Sequence, residues 1–451
     1  MSINFFLEII KKNLKKNAVV WNGKKFSYEW LYQRYEYWNS IIVKKKINIH
    51  SVVAIEGDFS PNSISLLLSL IKHNLIIVPL SKNLSNFQKK QFIEISQTSI
   101  LFKLNSKDEV RISKFDKKPV NKILLKLIRL KYPGLILFSS GSSGKNKAAV
   151  HDMNKLLEKF KIKKKSLRTI TFLMYDHIGG INTLLYILSN AGLIVTVNER
   201  NAEKVLELIE KNKVELLPTS PTFLNLLLLS KSYRNYNLSS LKCISYGTEP
   251  MPENTLKRLN KVFPKVKLQQ TYGLSEIGIL RSKSESSNSL WVKIGGEGFK
   301  TRIKKGLLEI KADSAMLGYM NAPSPFTADG WFKTGDEVVE RDGYIKILGR
   351  KSEIINVGGE KVYPQEIENV IIEDKKITDV IVYSEKNMII GNIVCAKITL
   401  NKKVEERSFI NDLKKRCSKK LEHYKIPIKI EIQKNLNFNQ RFKKNRNIKN
   451  I

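Results

Sequence analysis

Residues 135–151, LILFSSGSSGKNKAAVH, combine the residue types best suited to binding phosphate. An apolar run leads into the segment Ser139-Ser140-Gly141-Ser142-Ser143-Gly144, and Lys147 follows. Glycines let successive backbone N–H groups turn toward an anion, small hydroxyls add donors without bulk, and a lysine adds a mobile positive charge. The pattern predicts a polyphosphate-binding loop rather than a Ser/Gly linker, because linkers are not usually entered from a buried strand. Its spacing is not that of a Walker A loop, which disfavours the usual kinase and ATPase classes.

The elements that must position this loop follow from the hydrophobic pattern. From residue 18 to about residue 275, short apolar runs alternate with helical periodicity, as at residues 52–55, 63–72 and 75–78. Such alternation implies parallel sheets covered by helices. Near Trp291 the sequence becomes β-rich and is broken by an Asp-Gly turn at 342–343, and beyond Gly349 two helices and three strands are expected. We therefore predict an α/β fold, with a large N-terminal domain of parallel-type sheets plus a small β subdomain (1–349) and a small α+β C-terminal domain (350–451).

Composition excludes several classes of protein. The chain has 451 residues, 42% apolar and 27% charged, which fits a folded multidomain protein and excludes wholesale disorder. Its net charge of +37 would attract phosphates, anionic lipid or an acidic protein. Lysines are spread along the chain, with concentrations at 114–131, at 155–168 and after Glu431. Because no zinc spacing, RRM signature or helix-turn-helix pattern accompanies them, nucleic-acid binding is disfavoured.

The cysteines and the apolar runs bear on the compartment. Three widely spaced cysteines, Cys243, Cys395 and Cys417, suggest a reducing environment. The first residues, MSINFFLEIIKKN, lack the form of a signal peptide, and the longest apolar stretch, 64–80, is interrupted by Lys72, His73 and Asn74. We expect a cytoplasmic protein without a transmembrane segment.

Five ordered motifs resemble those of the adenylate-forming superfamily, which contains acyl-CoA synthetases, nonribosomal peptide adenylation domains and firefly luciferases. The phosphate loop resembles the family's glycine-rich signature, with serines in place of threonines. The other four follow in the family's order: Tyr246-Gly247-Thr248-Glu249-Pro250, Thr271-Tyr272-Gly273-Leu274-Ser275-Glu276, Gly330-Trp331-Phe332-Lys333-Thr334-Gly335-Asp336, and the Gly349-Arg350 stretch that continues to Gly358-Gly359 and Val362-Tyr363-Pro364. The resemblance covers nearly the whole chain and implies an AMP-forming ligase.

The resemblance implies a role for each motif in binding ATP and Mg²⁺. Lys147 and the loop would hold the β and γ phosphates, and Glu276 with Ser139 would bind Mg²⁺, a hard cation that prefers oxygen ligands. Tyr272 would lie against the adenine, although a tyrosine at this place could instead pack beneath a turn. The remaining nucleotide contacts implied are Gly247, Thr248 and Glu249 along the adenine edge, and Asp336 and Arg350 at the ribose.

One segment bears on which kind of acid is the substrate. It is Tyr175-Asp176-His177-Ile178-Gly179-Gly180. Acyl-CoA synthetases carry a similar His-x-x-Gly stretch in the acid site, so His177 is a candidate acid-site residue; a structural role is the alternative. Amino-acid-activating relatives have Phe-Asp-x-Ser here, which this sequence lacks. A carboxylic acid without an α-amine is therefore favoured.

The C-terminal motif departs most from the family. Relatives usually end in Pro-x-Thr-x-x-Gly-Lys, whose lysine serves adenylation; here the stretch is Asn437-Phe438-Asn439-Gln440-Arg441-Phe442-Lys443. Lys443 is therefore the candidate adenylation lysine, although it could be a solvated lysine with Lys444 or Arg441 in its place. Gly358 and Gly359 would admit a pantetheine arm after the C-terminal domain rotates about Ser352.

The sequence therefore predicts a Mg²⁺-dependent ligase that adenylates a carboxylic acid with ATP and transfers the acyl group to a thiol. Coenzyme A is the favoured acceptor, and the phosphopantetheine of an acidic acyl carrier protein is the alternative. A non-catalytic descendant that only binds nucleotide or a carrier protein is the rival from a different class, motivated by the altered lysine motif.

Overall fold

The computed structural model describes residues 3–48, 51–140, 146–387 and 391–434. The α-helices of this part of the chain, α1 to α12, are Asn4–Lys11, Tyr28–Lys44, Pro61–Lys72, Asn86–Ile95, Lys122–Leu130, Met153–Glu158, Ile178–Leu188, Ala202–Asn212, Pro221–Ser230, Glu253–Val262, Pro364–Ile371 and Glu406–Ser418.

The strands of the same residues, β1 to β27, are short, and most are three to seven residues long. They are Asn17–Trp21, Lys24–Ser27, Val52–Gly57, Ile76–Ser81, Ile100–Leu104, Val110–Lys114, Gly134–Ser140, Asn146–Asp152, Arg168–Ile170, Leu193–Val195, Leu216–Thr219, Cys243–Tyr246, Lys267–Gln270, Gly273–Leu274, Gly278–Ile279, Ser282–Ser284, Val292–Ile294, Phe299–Lys304, Leu307–Ala312, Gly318–Tyr319, Phe332–Arg341, Tyr344–Arg350, Ile355–Val357, Glu360–Val362, Ile377–Asn387, Gly391–Leu400 and Lys429–Gln433.

Two seven-stranded sheets form the N-terminal part of the molecule. One has the order β13-β12-β11-β9-β10-β1-β2 and the other the order β20-β8-β7-β4-β3-β5-β6. The central pairs are parallel, and antiparallel strands lie toward the edges, as in β1 with β2 and β7 with β8. Strands β3 and β4 are buried along their whole length because helices cover both faces of their sheet. The predicted α/β fold with parallel-type sheets is confirmed.

The β subdomain is a six-stranded antiparallel sheet with the order β16-β17-β22-β21-β19-β18. It begins at Ser282, earlier than the sequence indicated, because strands of three residues such as β16 and β17 are too short to show a period in the sequence. The predicted turn at Asp342-Gly343 joins β21 to β22, and both residues have positive φ. This hairpin carries two of the candidate site residues at its far end.

The C-terminal part packs α11 and α12 on the three-stranded sheet β25-β26-β27 around its own apolar cluster. The predicted helices and strands of this unit are present, with ends shifted by up to a few residues. The boundary near Arg350 stays a prediction. No helix within the described residues is long and apolar enough to span a membrane.

Candidate functional site

A cavity of about 130 Å³ lies where strands from both large sheets end. Six of the candidate residues line it: Ser139, His177, Gly247, Thr248, Glu276 and Arg350. The carboxyl ends of β7, β11 and β12 point to this place, and open α/β sheets characteristically bind ligands at that edge. The fold therefore gathers motifs that are more than 200 residues apart in the sequence.

The carboxylate of Glu276 is held beside Ser139, near the end of β7. Its Oε1 accepts hydrogen bonds from the Tyr319 hydroxyl at 2.7 Å and from Ser139 Oγ at 3.4 Å. Burial and the neighbouring Glu276 raise the pKa of Tyr319, so this hydroxyl stays protonated and keeps donating. The Lys147 ammonium lies 5.3 Å from the centre of the Tyr319 ring. Glu276, Ser139 and Lys147 therefore form one cluster with Tyr319 where β7 ends and β8 begins.

Tyr319 was missed by sequence reasoning. It lies in the two-residue strand β20, which pairs with β8. Through its hydroxyl and its ring, Tyr319 connects the candidate metal ligand Glu276 with the candidate phosphate ligand Lys147. Tyr319 lies near Glu276 and Lys147 because β20 pairs with β8, a strand about 170 residues earlier in the sequence. No local sequence pattern predicts such a pairing.

Asp336 and Arg350 face each other across the β21–β22 hairpin. Their backbones are direct cross-strand partners, and Arg350 Nε donates to Asp336 Oδ1 at 3.2 Å. The Tyr272 hydroxyl donates to Asp336 Oδ2 at 2.5 Å. Burial raises the pKa of the Asp336 carboxyl, with Arg350 and Tyr272 opposing that rise. The arrangement presents an oriented carboxylate beside an aromatic ring and a guanidinium, which suits a ribose.

We expect Asp336→Asn to weaken ATP binding at least about tenfold without lowering the melting temperature at pH 7. The folded-state pKa of Asp336 is raised, so ionisation of this group above its unfolded-state pKa disfavours the folded protein. The amide removes that penalty, whereas it offers a ribose hydroxyl a weaker acceptor. Any gain in melting temperature of the variant over the wild type should disappear as the pH falls below the unfolded-state pKa, because the wild-type carboxyl is then protonated in both states. Calorimetry of ATP binding at pH 7 and thermal unfolding at pH 3 and 7 measure the two effects; unchanged ATP affinity would contradict the assignment.

The Gly247-Thr248-Glu249 segment follows β12 and has an unusual backbone. A Cβ at Gly247 would lie 2.6 Å from the Thr271 hydroxyl, so no larger residue fits there. Thr248 has a φ of +75°, which is strained for a β-branched residue and is the kind of conformation found at binding sites. The structure does not bring Glu249 into the cavity. Its Oε1 accepts from the Thr222 backbone N–H at 2.7 Å, and Glu249 lines a second cavity between α9 and α11.

His177 has a structural role and also borders the cavity, and its role in binding the acid stays a prediction. It is the N-cap of α7, where its Nδ1 accepts from the Gly179 backbone N–H at 3.0 Å. It also lines the cavity that Glu276 and Arg350 line. A Cβ at Gly180 would overlap the Met174 carbonyl, 2.0 Å away, so the turn before α7 is held tightly. The capping bond orients the imidazole toward the cavity.

His151 is a second residue that the sequence did not single out as functional. It is fully buried on β8, and its Nε2 lies 2.6 Å from the Ser275 carbonyl oxygen, next to Glu276. Burial lowers the pKa of His151, so the ring is neutral and its Nε2–H donates to this carbonyl. His151 therefore fixes the backbone at Ser275, the residue before Glu276, through this hydrogen bond.

We expect His151→Leu to lower the free energy of unfolding by about 1 to 3 kcal/mol, because the buried Ser275 carbonyl loses its donor. Adenylation should fall severalfold since the support of Glu276 is lost. Urea unfolding and pyrophosphate exchange measure the two effects. His151→Gln, which keeps a donor, should recover part of both, and equal behaviour of the two variants would show that the hydrogen bond has no role.

Several candidate residues stand apart from the cavity. Gly358 and Gly359 form the turn between β23 and β24, with φ of +58° and +96°, and both are exposed to solvent. The central loop residues and the adenylation candidate lie outside the described residues: Gly141, Ser142, Ser143, Gly144 and Lys443. For Ser140 only its place in β7 is described.

Comparison with known proteins gives the same assignment as the motifs. The family model for the AMP-binding enzyme matches residues 6–295, and that for the AMP-binding enzyme C-terminal domain matches residues 366–443. The chain is 25% identical over 435 residues to indoleacetate–CoA ligase of Aromatoleum aromaticum, covering 85% of each protein. It is 28% identical over 328 residues to the mitochondrial medium-chain acyl-CoA ligase ACSF2 of Homo sapiens, where the match covers 65% of this chain and 53% of the relative.

Among solved structures, the anthranilate CoA ligase AuaEII in complex with anthranoyl-AMP superposes with a TM-score of 0.83. The match covers 96% of this chain and 93% of that one at 17% identity, and it shows the shared fold. The predicted family is confirmed, since the first family model alone spans more than half of the chain. The phosphate-loop cluster, the Asp336–Arg350 hairpin and the matched domains together establish that the chain belongs to the AMP-binding enzyme family.

Proposed function

We propose that this protein activates a carboxylic acid with ATP to an acyl-adenylate and then transfers the acyl group to a thiol, with coenzyme A as the favoured acceptor. The observation that carries the proposal is the cavity itself. It joins Ser139 and Glu276 at the phosphate loop with Arg350, which is bonded to Asp336, within one space. Matched relatives named as CoA ligases support the same reaction class.

In the first half-reaction a substrate carboxylate oxygen attacks the α-phosphorus of ATP, and the bond to pyrophosphate breaks. This reaction requires charge neutralisation and in-line placement more than a protein nucleophile. Lys147 and the loop residues Ser139 to Gly144 would neutralise the β and γ phosphates. Glu276 and Ser139 offer two oxygens for Mg²⁺, which fits a metal that is bound through one or two carboxylates and substrate phosphates. The metal would add positive charge at the phosphates.

The nucleoside would lie along the β12 end and the β21–β22 hairpin. Asp336 would accept the ribose hydroxyls, with Arg350 beside it, and Tyr272 would lie against the adenine. Gly247 and Thr248 border the same space, so the adenine edge is assigned to them. Glu249 contributes by capping α9 and thereby fixing the strand end, rather than by direct contact.

The acid would enter between His177 and the β11 end. Its carboxylate must face the α-phosphate, so its body points away from Glu276, toward α7. The described residues that line the cavity on that side include no carboxylate to pair with an ammonium group. An acid without an α-amine is therefore the proposed substrate class.

In the second half-reaction a thiol sulfur attacks the acyl carbon, and AMP leaves. Gly358 and Gly359 lie on the surface here, so the C-terminal domain must rotate about Ser352 to bring them to the adenylate. Lys443 would serve only the first step. Coenzyme A and a carrier protein present the same pantetheine arm, and the carrier remains the alternative acceptor.

The decisive experiment is acid-dependent exchange of labelled pyrophosphate into ATP across a panel of aromatic, straight-chain and α-amino acids with Mg²⁺. Exchange with at least one acid that lacks an α-amine is expected, followed by thioester formation on coenzyme A. Binding of ATP without exchange for any acid would favour the non-catalytic alternative. Thioester formation on a carrier protein alone would overturn the choice of acceptor.

The free cysteines Cys243, Cys395 and Cys417 are consistent with the proposed cytoplasmic location.

A further inference from the structure

Two basic segments that the adenylation chemistry does not use border one groove of the molecule. The first segment contains α5 and ends at Tyr132, and the second begins within α6 and continues beyond it. Tyr132 lines an open groove of about 550 Å³ together with Lys155 and Lys161. We call residues 114–132 and 155–165 the basic-apolar surface.

The first segment of this surface carries a dense, largely unpaired positive charge. Residues 114–132 contain seven lysines and arginines and one acidic residue, Asp116. On α5 the residues Lys122, Lys126 and Arg129 are exposed, and none of them forms an ion pair with another described residue. The segment therefore retains a strong positive field.

The second segment adds to the same charge. It contributes three consecutive exposed lysines at 163–165, beyond Lys161, which pairs with Glu158 at the groove. The groove also contains the carboxylate of Asp152, which is buried. The net charge of the combined surface is strongly positive despite these acids.

The same surface exposes large apolar side chains. The exposed fractions are 71% for Val120, 45% for Leu125, 43% for Leu130, 40% for Tyr132 and 38% for Ile162. Four of the ten exposed large apolar residues of the described chain thus fall within the 13 residues from 120 to 132. Apolar side chains concentrated in this way mark an interaction surface more often than single scattered ones do.

The helix that carries this surface is firmly seated. Leu124 and Leu127 on its inner side are buried against the sheet, and Ile123 and Ile128 pack at their flanks. Asn121 caps the start of the helix by accepting from the Ile123 backbone N–H. The exposure of Leu125 and Leu130 is therefore a property of the outer face of a well-packed helix.

We propose that the basic-apolar surface binds the surface of an anionic phospholipid bilayer. Lysines and arginines interact with anionic headgroups, while leucine, valine, isoleucine and tyrosine side chains enter the boundary between headgroups and acyl chains. Phosphate binding alone, as on a nucleic acid, would gain nothing from exposed Val120, Leu125 and Leu130. The helix lies on the membrane and does not cross it.

Co-sedimentation with vesicles of phosphatidylglycerol and phosphatidylcholine tests the proposal, with pure phosphatidylcholine vesicles for comparison. The full chain is expected to bind the anionic vesicles and not the neutral ones. Each basic residue near such a surface strengthens adsorption about fivefold. The triple variant Lys122→Glu, Lys126→Glu, Arg129→Glu should therefore bind at least about tenfold more weakly. The variant Leu125→Ser, Leu130→Ser, Tyr132→Ser, which keeps every charge, should also bind severalfold more weakly.

A matched control changes the net charge by the same amount elsewhere. Lys402→Glu, Lys403→Glu and Lys419→Glu alter three exposed lysines of the C-terminal part and should leave vesicle binding nearly unchanged. Equal losses in both triple variants would overturn the proposal in favour of a diffuse charge effect. Wild-type vesicle binding by the serine variant would overturn it in favour of a purely electrostatic partner, and competition with double-stranded RNA or an acidic carrier protein would then identify that partner. Vesicle binding needs neither acid nor ATP, so its outcome is independent of the proposed ligase reaction.

Discussion

Glu276→Gln is expected to lower acid-dependent pyrophosphate exchange at least about tenfold while the protein stays folded. Among the described residues that line the candidate cavity, Glu276 carries the one anionic side chain, and it lies next to Ser139. A neutral amide is a poor ligand for Mg²⁺. Losing a charge contact that acts in the transition state costs a few kcal/mol. The Tyr319 hydroxyl can still donate to the amide oxygen, so the local packing should survive.

Glu309→Gln is the matched control for this variant. Glu309 is 7% exposed and pairs with Arg302 at 2.6 Å in the β subdomain, away from the cavity. Its replacement should lower the melting temperature without changing the exchange rate per folded molecule. If Glu276→Gln keeps wild-type exchange, or if the two variants lose activity equally, the assignment of Glu276 to the phosphate and metal site is wrong.

The parts of the site that the sequence predicted are those built from local geometry. The Asp-Gly turn at 342–343 fixes the β21–β22 hairpin, and its register places Asp336 opposite Arg350 only 14 positions away. The strand that leads to the phosphate loop is also local, because its apolar residues and the small residues that follow are contiguous. Such features need only turn chemistry and periodicity to be recognised.

The parts that the sequence did not predict depend on contacts between distant segments. Tyr319 reaches Glu276 from 43 positions away, and His151 reaches Ser275 from 124 positions away. Both contacts exist because β20 and β7 pair with β8. No local sequence pattern predicts the order of strands in a sheet. Glu249 is the opposite case, because its motif is recognisable in the sequence but its predicted place at the adenine edge is not found. Its carboxylate instead accepts from a backbone N–H at the nearby N-terminus of α9.

Gly359→Phe is expected to separate the two half-reactions. Among the described residues, no atom lies within 4 Å of a Cβ built at Gly359, so a large side chain meets no clash there. The positive φ adds local strain of about 1 to 2 kcal/mol. The proposed rotation would bring the loop to the adenylate, and the phenyl ring would then occupy the path of the pantetheine arm. Pyrophosphate exchange should stay within about twofold of wild type, whereas thioester formation falls at least about tenfold.

Gly391→Phe separates this blocking effect from backbone strain alone. Gly391 lies in the same C-terminal part, has a φ of +79° and likewise has no atom of the described residues within 4 Å of a built Cβ. It should therefore cost similar stability while both half-reactions continue. Quenched assays of acyl-adenylate and of acyl-coenzyme A on the two variants decide the matter. Thioester formation at the wild-type rate in Gly359→Phe would mean that the thiol does not pass this loop, because a side chain of that size cannot share the space of a pantetheine arm.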